Sequence, residues 1–301
     1  MAAPSPSGIQ VHRVPAIHGW HWLRHSFSIL RTAPLPLLLL MLAIMTLINL
    51  SGLLGLAGLV LSKLLMAVLL VGYLAILRQL APPDFPPAAT TRPIAAMPVA
   101  GNRKLRQVFS TSTFFGWARH NRRALISVIQ LGLLTLAIDA GAAWLSGYQS
   151  AMASLADAVH LLPADRAPDA DTMRQLFMPV FRSMISMLLI TIPCYLLLWY
   201  APIFAGLHGL PLLKAVVFSA VAVGRNILAF LCHACCLLIL LIGVSLIFQM
   251  INALLGGSAS LPFASPIVML SIPLVFSIIT CSLWASYLDT VEVSAGRALP
   301  H

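Results

Sequence analysis

ILAFLCHACCLLILLIGVSLIFQM, residues 227 to 250, is apolar on every face and carries no charged residue. A bilayer's hydrocarbon layer, ~30 Å thick, is crossed by ~20 such residues in a helix rising ~1.5 Å per residue. Beside this span, Ile227 to Met250, five stretches read the same way: Leu35 to Leu53, Leu56 to Leu77, Ala124 to Leu145, Ser183 to Ala205 and Pro266 to Leu288. Backbone in lipid must satisfy its own hydrogen bonds, and continuous apolar runs suit helices, whereas barrel strands alternate polar and apolar residues. The fold class is therefore all-α, a polytopic membrane bundle of six transmembrane helices arranged as three hairpins with short interfacial helices.

Composition agrees, with 60% hydrophobic and 9% charged residues and a single glutamate, Glu292. Lys and Arg tend to stay on the cytoplasmic side of a membrane, and their placement alternates between loops. Arg13, Arg24 and Arg31 precede the first span; Arg78, Arg92, Arg103, Lys104, Arg106, Arg119, Arg122 and Arg123 separate the second from the third; Lys214 and Arg225 separate the fourth from the fifth. The opposite segments either lack charge or, in residues 146–182, set three arginines against four aspartates. Both termini are expected in the cytoplasm. The formal charge of +10 then faces anionic headgroups, each basic group near them contributing about 1 kcal/mol. A lipid surface explains this balance better than nucleic acid does. No cleavable signal peptide is expected, because the first apolar run starts at Leu35. All five cysteines fall inside spans, which argues against a disulfide framework.

The chain divides into a disordered start at 1–15, an interfacial helix plus first hairpin at 16–77, and a proline-rich cytoplasmic linker at 78–103. A second hairpin at 104–205 holds an external loop at 146–182, an interfacial segment plus third hairpin occupies 206–288, and 289–301 is a tail. Each hairpin follows a semi-apolar segment ending in Arg31, Arg119 or Arg225, which is either a threefold repeat or a habit of membrane chains. In the first segment Ile17, Trp20, Leu23, Phe27 and Leu30 share one helical face and His18, His21 and His25 another. Leu210 to Val223 is too short to span and is also expected at the interface. Tyr148 to Leu162 reads as a short helix on the outer loop, and Asp171 as a cap for the fourth span.

Few residues suggest chemistry. Lys63 and Asp139 lie within spans at matching depth, ~10 Å below the outer interface, so an ion pair between them is geometrically allowed. Snorkelling of Lys63 and protonation of Asp139, or a proton pathway, are the other readings. Cys232, His233, Cys235 and Cys236 offer soft metal ligands, but His233 points ~100° away from Cys232 on a helix, so partners from other spans would be needed. Small buried thiols and a hydrogen-bonded histidine are the plainer reading. His18, His21 and His25 form either a surface metal site or a polar face turned to the cytoplasm, with Arg24 and Arg31 placed for phosphates. Pro193 and Pro273 are expected to kink their spans. No nucleophile elbow, phosphate loop or zinc-protease motif is present, so neither enzyme activity nor a cofactor is expected.

Gly19-Trp20-His21-Trp22-Leu23, then Phe27, Arg31 and Pro34, resembles the opening of an uncharacterised family of bacterial multi-pass inner-membrane proteins. The likeness is specific over these residues and architectural beyond them. Similar proteins often carry a charged residue or Asn before the proline, where this chain has Ala33. The resemblance implies a bacterial inner membrane and brings no activity. A scaffolding or lipid-linked organising role is expected, with anionic lipid and either a protein partner or a second copy as associates. A transporter or channel is the alternative, needing a polar route through Lys63, Gln130, Asp139, His233, Gln249 and Asn252. Metal handling is a third.

Overall fold

The computed structural model describes residues 9–81, 107–160, 170–254 and 266–293. Most of the proline-rich linker, the Asp165 to Asp169 part of the outer loop, and the last eight residues lie outside them.

Among the described residues six helices are long and apolar enough to cross a membrane, and the chain is an all-α, multi-pass membrane bundle. The first hairpin is α2 (Pro34–Gly52) and α3 (Gly55–Leu80). The second is α5 (Arg122–Leu145) and α7 (Ala170–Leu197), with α6 (Tyr148–His160) between them in the chain. The third is α9 (Ile227–Leu254) and α10 (Pro266–Thr290). A short helix leads into each: α1 (His18–Thr32), α4 (Thr111–His120) and α8 (Leu212–Arg225). Single residues separate short helix from span. Ala33 stops α1 because the following proline disfavours a helical residue before it, and Pro34 then starts α2 at a position that needs no N–H. Asn121 accepts a hydrogen bond from the Ala124 N–H at 3.1 Å and so caps α5. Asn226 holds the corresponding place before α9 but is used differently.

The fourth crossing departs from the expected Ser183 to Ala205. α7 starts at Ala170 with Asp171 in its first turn rather than at the cap, and it ends at Leu197. Pro202 then leads into a wide π turn at Ile203–Leu207. Tyr195 reaches Asp139, while Leu198 and Ala201 pack with Leu131, so the segment after α7 runs beside the N-terminal half of α5. Irregular backbone at membrane depth is tolerated where protein covers it, and residues 200 to 206 are all buried. Apolarity alone could not separate residues that face lipid from residues that face protein.

The helices are knit together at one end and splayed at the other. On α3, Leu56 is 80% exposed while Val71 and Tyr73 are fully buried. On α9, Ala229, Phe230 and His233 are buried, whereas Ile239 is 71% and Leu254 is 78% exposed. Only 6% of the most apolar stretch of α7 is buried, against 61% for α10, so α10 is the central post and α7 is the span least covered by the rest of the chain.

α1 does not lie free. It packs chiefly on α10 and α9, the helices of the third hairpin, rather than on the hairpin it precedes. Its buried side is Gly19, Trp22, Leu23, Ser26, Ile29 and Leu30, while Ile17 and Trp20 are turned outward. The face expected from hydrophobicity was rotated, because small Gly19 and Ser26 permit close contact, and Trp20 is left half exposed. Gly19 shows how close: a Cβ there would lie 2.3 Å from the Ala229 carbonyl oxygen and 2.5 Å from the His233 amide nitrogen.

Residues 9–11 of the expected disordered start and 291–293 of the expected tail are ordered; residues 1–8 and 294–301 lie outside the described residues. β1 (Ile9–Val11) pairs antiparallel with β2 (Val291–Val293), with Ile9 opposite Val293 and Val11 opposite Val291. Aliphatic residues alternating with Gln10 and Glu292 suit a half-buried pair, but three residues are too few to announce one.

Candidate functional site

Polar side chains gather in two places, one inside the spans and one at the knit end. Within the spans, the structure brings Lys63 of α3 and Asp139 of α5 into an ion pair. Tyr195 of α7 donates its hydroxyl to the same carboxylate, at 3.1 Å from both oxygens. Asp139 therefore ties three spans together. Tyr195 gave no signal in the sequence, since nothing in an apolar helix fixes its depth relative to another.

The cytoplasm-facing polar stripe expected of His18, His21 and His25 does not form. Asp289, near the end of α10, accepts from the His18 Nδ1–H and from the Trp22 indole N–H, each at 2.7 Å, on one carboxylate oxygen. His18 and His21 meet edge to face, with ring centroids 5.6 Å apart. Burial pushes the His25 imidazole below its usual pKa, with Asp289 pulling the other way. Arg24 and Arg31 remain exposed. No carboxylate lies near these histidines in sequence, so the role of Asp289 could not be read before folding.

His233 is likewise committed. Its ring nitrogens contact the Gly19 carbonyl oxygen at 3.1 Å and the Ser282 hydroxyl at 3.0 Å. The carbonyl can only accept, which assigns an N–H to Nδ1, while the Ser282 hydroxyl gives its own hydrogen to the Ile279 carbonyl at 2.8 Å. Trp22 and Trp199 stand against the ring at 5.8 and 6.1 Å. Cys235 faces outward from α9, and all five thiols are free. Among the described residues no three His, Cys, Asp or Glu side chains are grouped to hold a metal, so neither metal reading gains a site.

The rest of the knit end is a hydrogen-bonded aromatic block around α10. The His208 Nε2 and Tyr287 hydroxyl are 2.6 Å apart, Trp199 donates to Ser286 at 3.2 Å, Thr290 donates to the Tyr200 hydroxyl at 3.0 Å, and Trp284 donates to the Ala81 carbonyl at 2.9 Å. Burial, with Arg78 nearby, lowers the His208 pKa to about 4, so the ring is neutral and accepts from Tyr287. Asn226 is 2% exposed. Its oxygen accepts from the Val14 N–H at 2.8 Å, and its amide donates to the His12 and Ala222 carbonyls at 2.9 and 3.0 Å. It thus anchors the N-terminal segment instead of capping α9.

The polar residues of the spans do not converge. Gln130 and Gln249 are exposed on separate helices, His233 sits in the α1 contact, and Lys63 with Asp139 forms its own group. The Asn252 side chain lies outside the described set.

The chain is similar to a protein of Burkholderia thailandensis described as a "probable inner membrane protein", with 30% identity over 95 residues, 32% of this chain and 34% of that protein. The chain thus matches about a third of the length of this curated relative. No family model and no solved structure matches.

Proposed function

We propose that the protein is a non-enzymatic scaffold of the bacterial inner membrane, with both termini in the cytoplasm. The observation that carries this reading is that, among the described residues, the ionisable side chains Lys63, Asp139 and His233 of the spans are already partnered within the protein and do not converge with Gln130 or Gln249. Asp139 holds Lys63 and Tyr195, and His233 holds Gly19 and Ser282. A transport route needs polar groups free to meet a substrate. The alternation of basic loops supports the orientation, and the relative's printed name supports the inner membrane. Lipid with anionic headgroups, together with a second copy or another protein, are the associates such a scaffold takes.

One observation favours a transporter, the broken crossing after Leu197, since discontinuous helices often mark substrate sites. That break is packed with Tyr200, Phe204, Phe230 and Tyr287 ring to ring. A substrate would have to displace this block.

Native mass spectrometry of the protein extracted from its own membrane separates the readings. Retained lipid, or a second protein chain at fixed ratio, is the expected result. A stoichiometric small solute or metal lost on substituting Asp139 or Cys232 would overturn the scaffold.

A further inference from the structure

A groove of ≈ 850 Å³ opens between residues 13–16 and residues 224–228, outside the two polar groups already described. One wall is Arg13, Val14, Pro15 and Ala16, and the other runs across the junction of α8 and α9, from Gly224 and Arg225 to Leu228. Its height is set by the fold. Arg225 ends a helix too short to span, and Ile227 begins one that does, so the groove sits where headgroups meet the first methylenes. Its two charged residues are both arginines. Arg225 gives one N–H to the Val11 carbonyl at 3.2 Å, and neither arginine is paired with a carboxylate among the described residues. Ile227 and Leu228, 40% and 59% exposed, lead away from them along the lipid-facing side of α9.

We infer that this groove binds the headgroup phosphate of an anionic phospholipid, with Arg13 and Arg225 clamping the phosphate and the acyl chains lying along Ile227 and Leu228. Guanidinium pairs match phosphate oxygens in charge and in fork geometry, and the positive end of the α9 dipole adds to the field. A free phosphate would satisfy the arginines but leave the apolar half of the groove uncovered. Asn226 holds the two walls together through Val14 and His12, so the site is preformed rather than assembled by the lipid. The inference depends on the spans and not on the scaffold reading.

The test uses the full chain in nanodiscs of phosphatidylcholine with phosphatidylglycerol, followed by native mass spectrometry. One phosphatidylglycerol should survive activation that strips the others, and Arg13→Gln and Arg225→Gln should each weaken its retention about tenfold, the loss of one charge-assisted contact. Arg24→Gln, which removes an exposed arginine elsewhere, should leave it unchanged. Equal retention in the Arg13→Gln/Arg225→Gln chain, or displacement of the lipid by millimolar inorganic phosphate, would overturn the assignment. Should the double variant fail to fold, the unaltered chain is exposed to phosphatidylglycerol carrying a photoreactive acyl chain. Adducts on residues 13–16 and 224–228 support the site, and adducts confined elsewhere sink it. A bound solute in place of lipid would instead count against the scaffold, so the two failures are distinguishable.

Discussion

His18, the first residue of α1, donates its Nδ1–H to the carboxylate of Asp289, the penultimate residue of α10, at 2.7 Å. Trp22 donates to the same oxygen, and both carboxylate and imidazole are largely covered. Asp289→Asn keeps the shape while removing the charge that two donors share, and hydrogen bonds to charged groups contribute about 1.5–3 kcal/mol. The variant should melt several degrees lower in detergent by scanning fluorimetry. An unchanged midpoint would mean that α1 is held by apolar contact alone.

Asp139→Leu leaves the half-buried Lys63 unpaired within a span, and an unpaired charge at the bilayer centre costs about 3 kcal/mol or more. Lys63→Met combined with Asp139→Leu removes both charges and should recover most of that loss. Midpoints of the two single variants and the double complete the cycle. A double variant as unstable as the sum of the singles would show no coupling between them.

His208 has its pKa depressed by burial to about 4, below the ordinary 6.5. The unfolded chain therefore binds the proton more readily, so the contribution is complete above about pH 6.5 and is lost as pH falls toward 4. Its full size is about 3 kcal/mol, and His25, also depressed, acts in the same direction. Thermal midpoints between pH 7 and 4 should fall less steeply in His208→Gln than in the unaltered chain. Parallel curves would remove His208 from the account.

Gly19→Ala places a methyl group against backbone atoms of α9, which cannot rotate away as a side chain can. Overpacking of this kind costs about 1–3 kcal/mol, more than alanine's helical advantage over glycine returns. Gly116→Ala in α4 meets nothing within 4 Å and should be neutral or slightly stabilising. Trypsin cleavage after Arg13 and Arg24 reports the difference, since α1 should loosen only in the first variant.

Spans and interfacial helices were legible because lipid demands long apolar runs and headgroups hold basic residues. The meeting of Lys63 and Asp139 was legible as an allowed contact, since depth can be counted from the end of a span. Contacts that depend on how helices rotate about their axes were not. Trp20 and Trp22 are equally apolar, yet one faces outward and the other is sealed beneath Phe230. Asp289 reads as the start of a polar tail until α1 is laid across it. The end of α7 was hidden for the same reason, since Leu198 to Ala205 is as hydrophobic against protein as it would be against acyl chains.

The β1–β2 ladder and the docking of α1 on α10 also set a schedule. α1 leaves the ribosome long before Ser282, Asp289 and Val291 are made. At ~5–20 residues per second, tens of seconds of synthesis separate them. Over that interval Trp22 gains its aromatic neighbour Phe230 well before its carboxylate, Asp289. A chain cut short before Asp289 leaves the Trp22 indole N–H without its acceptor, however many spans precede the break.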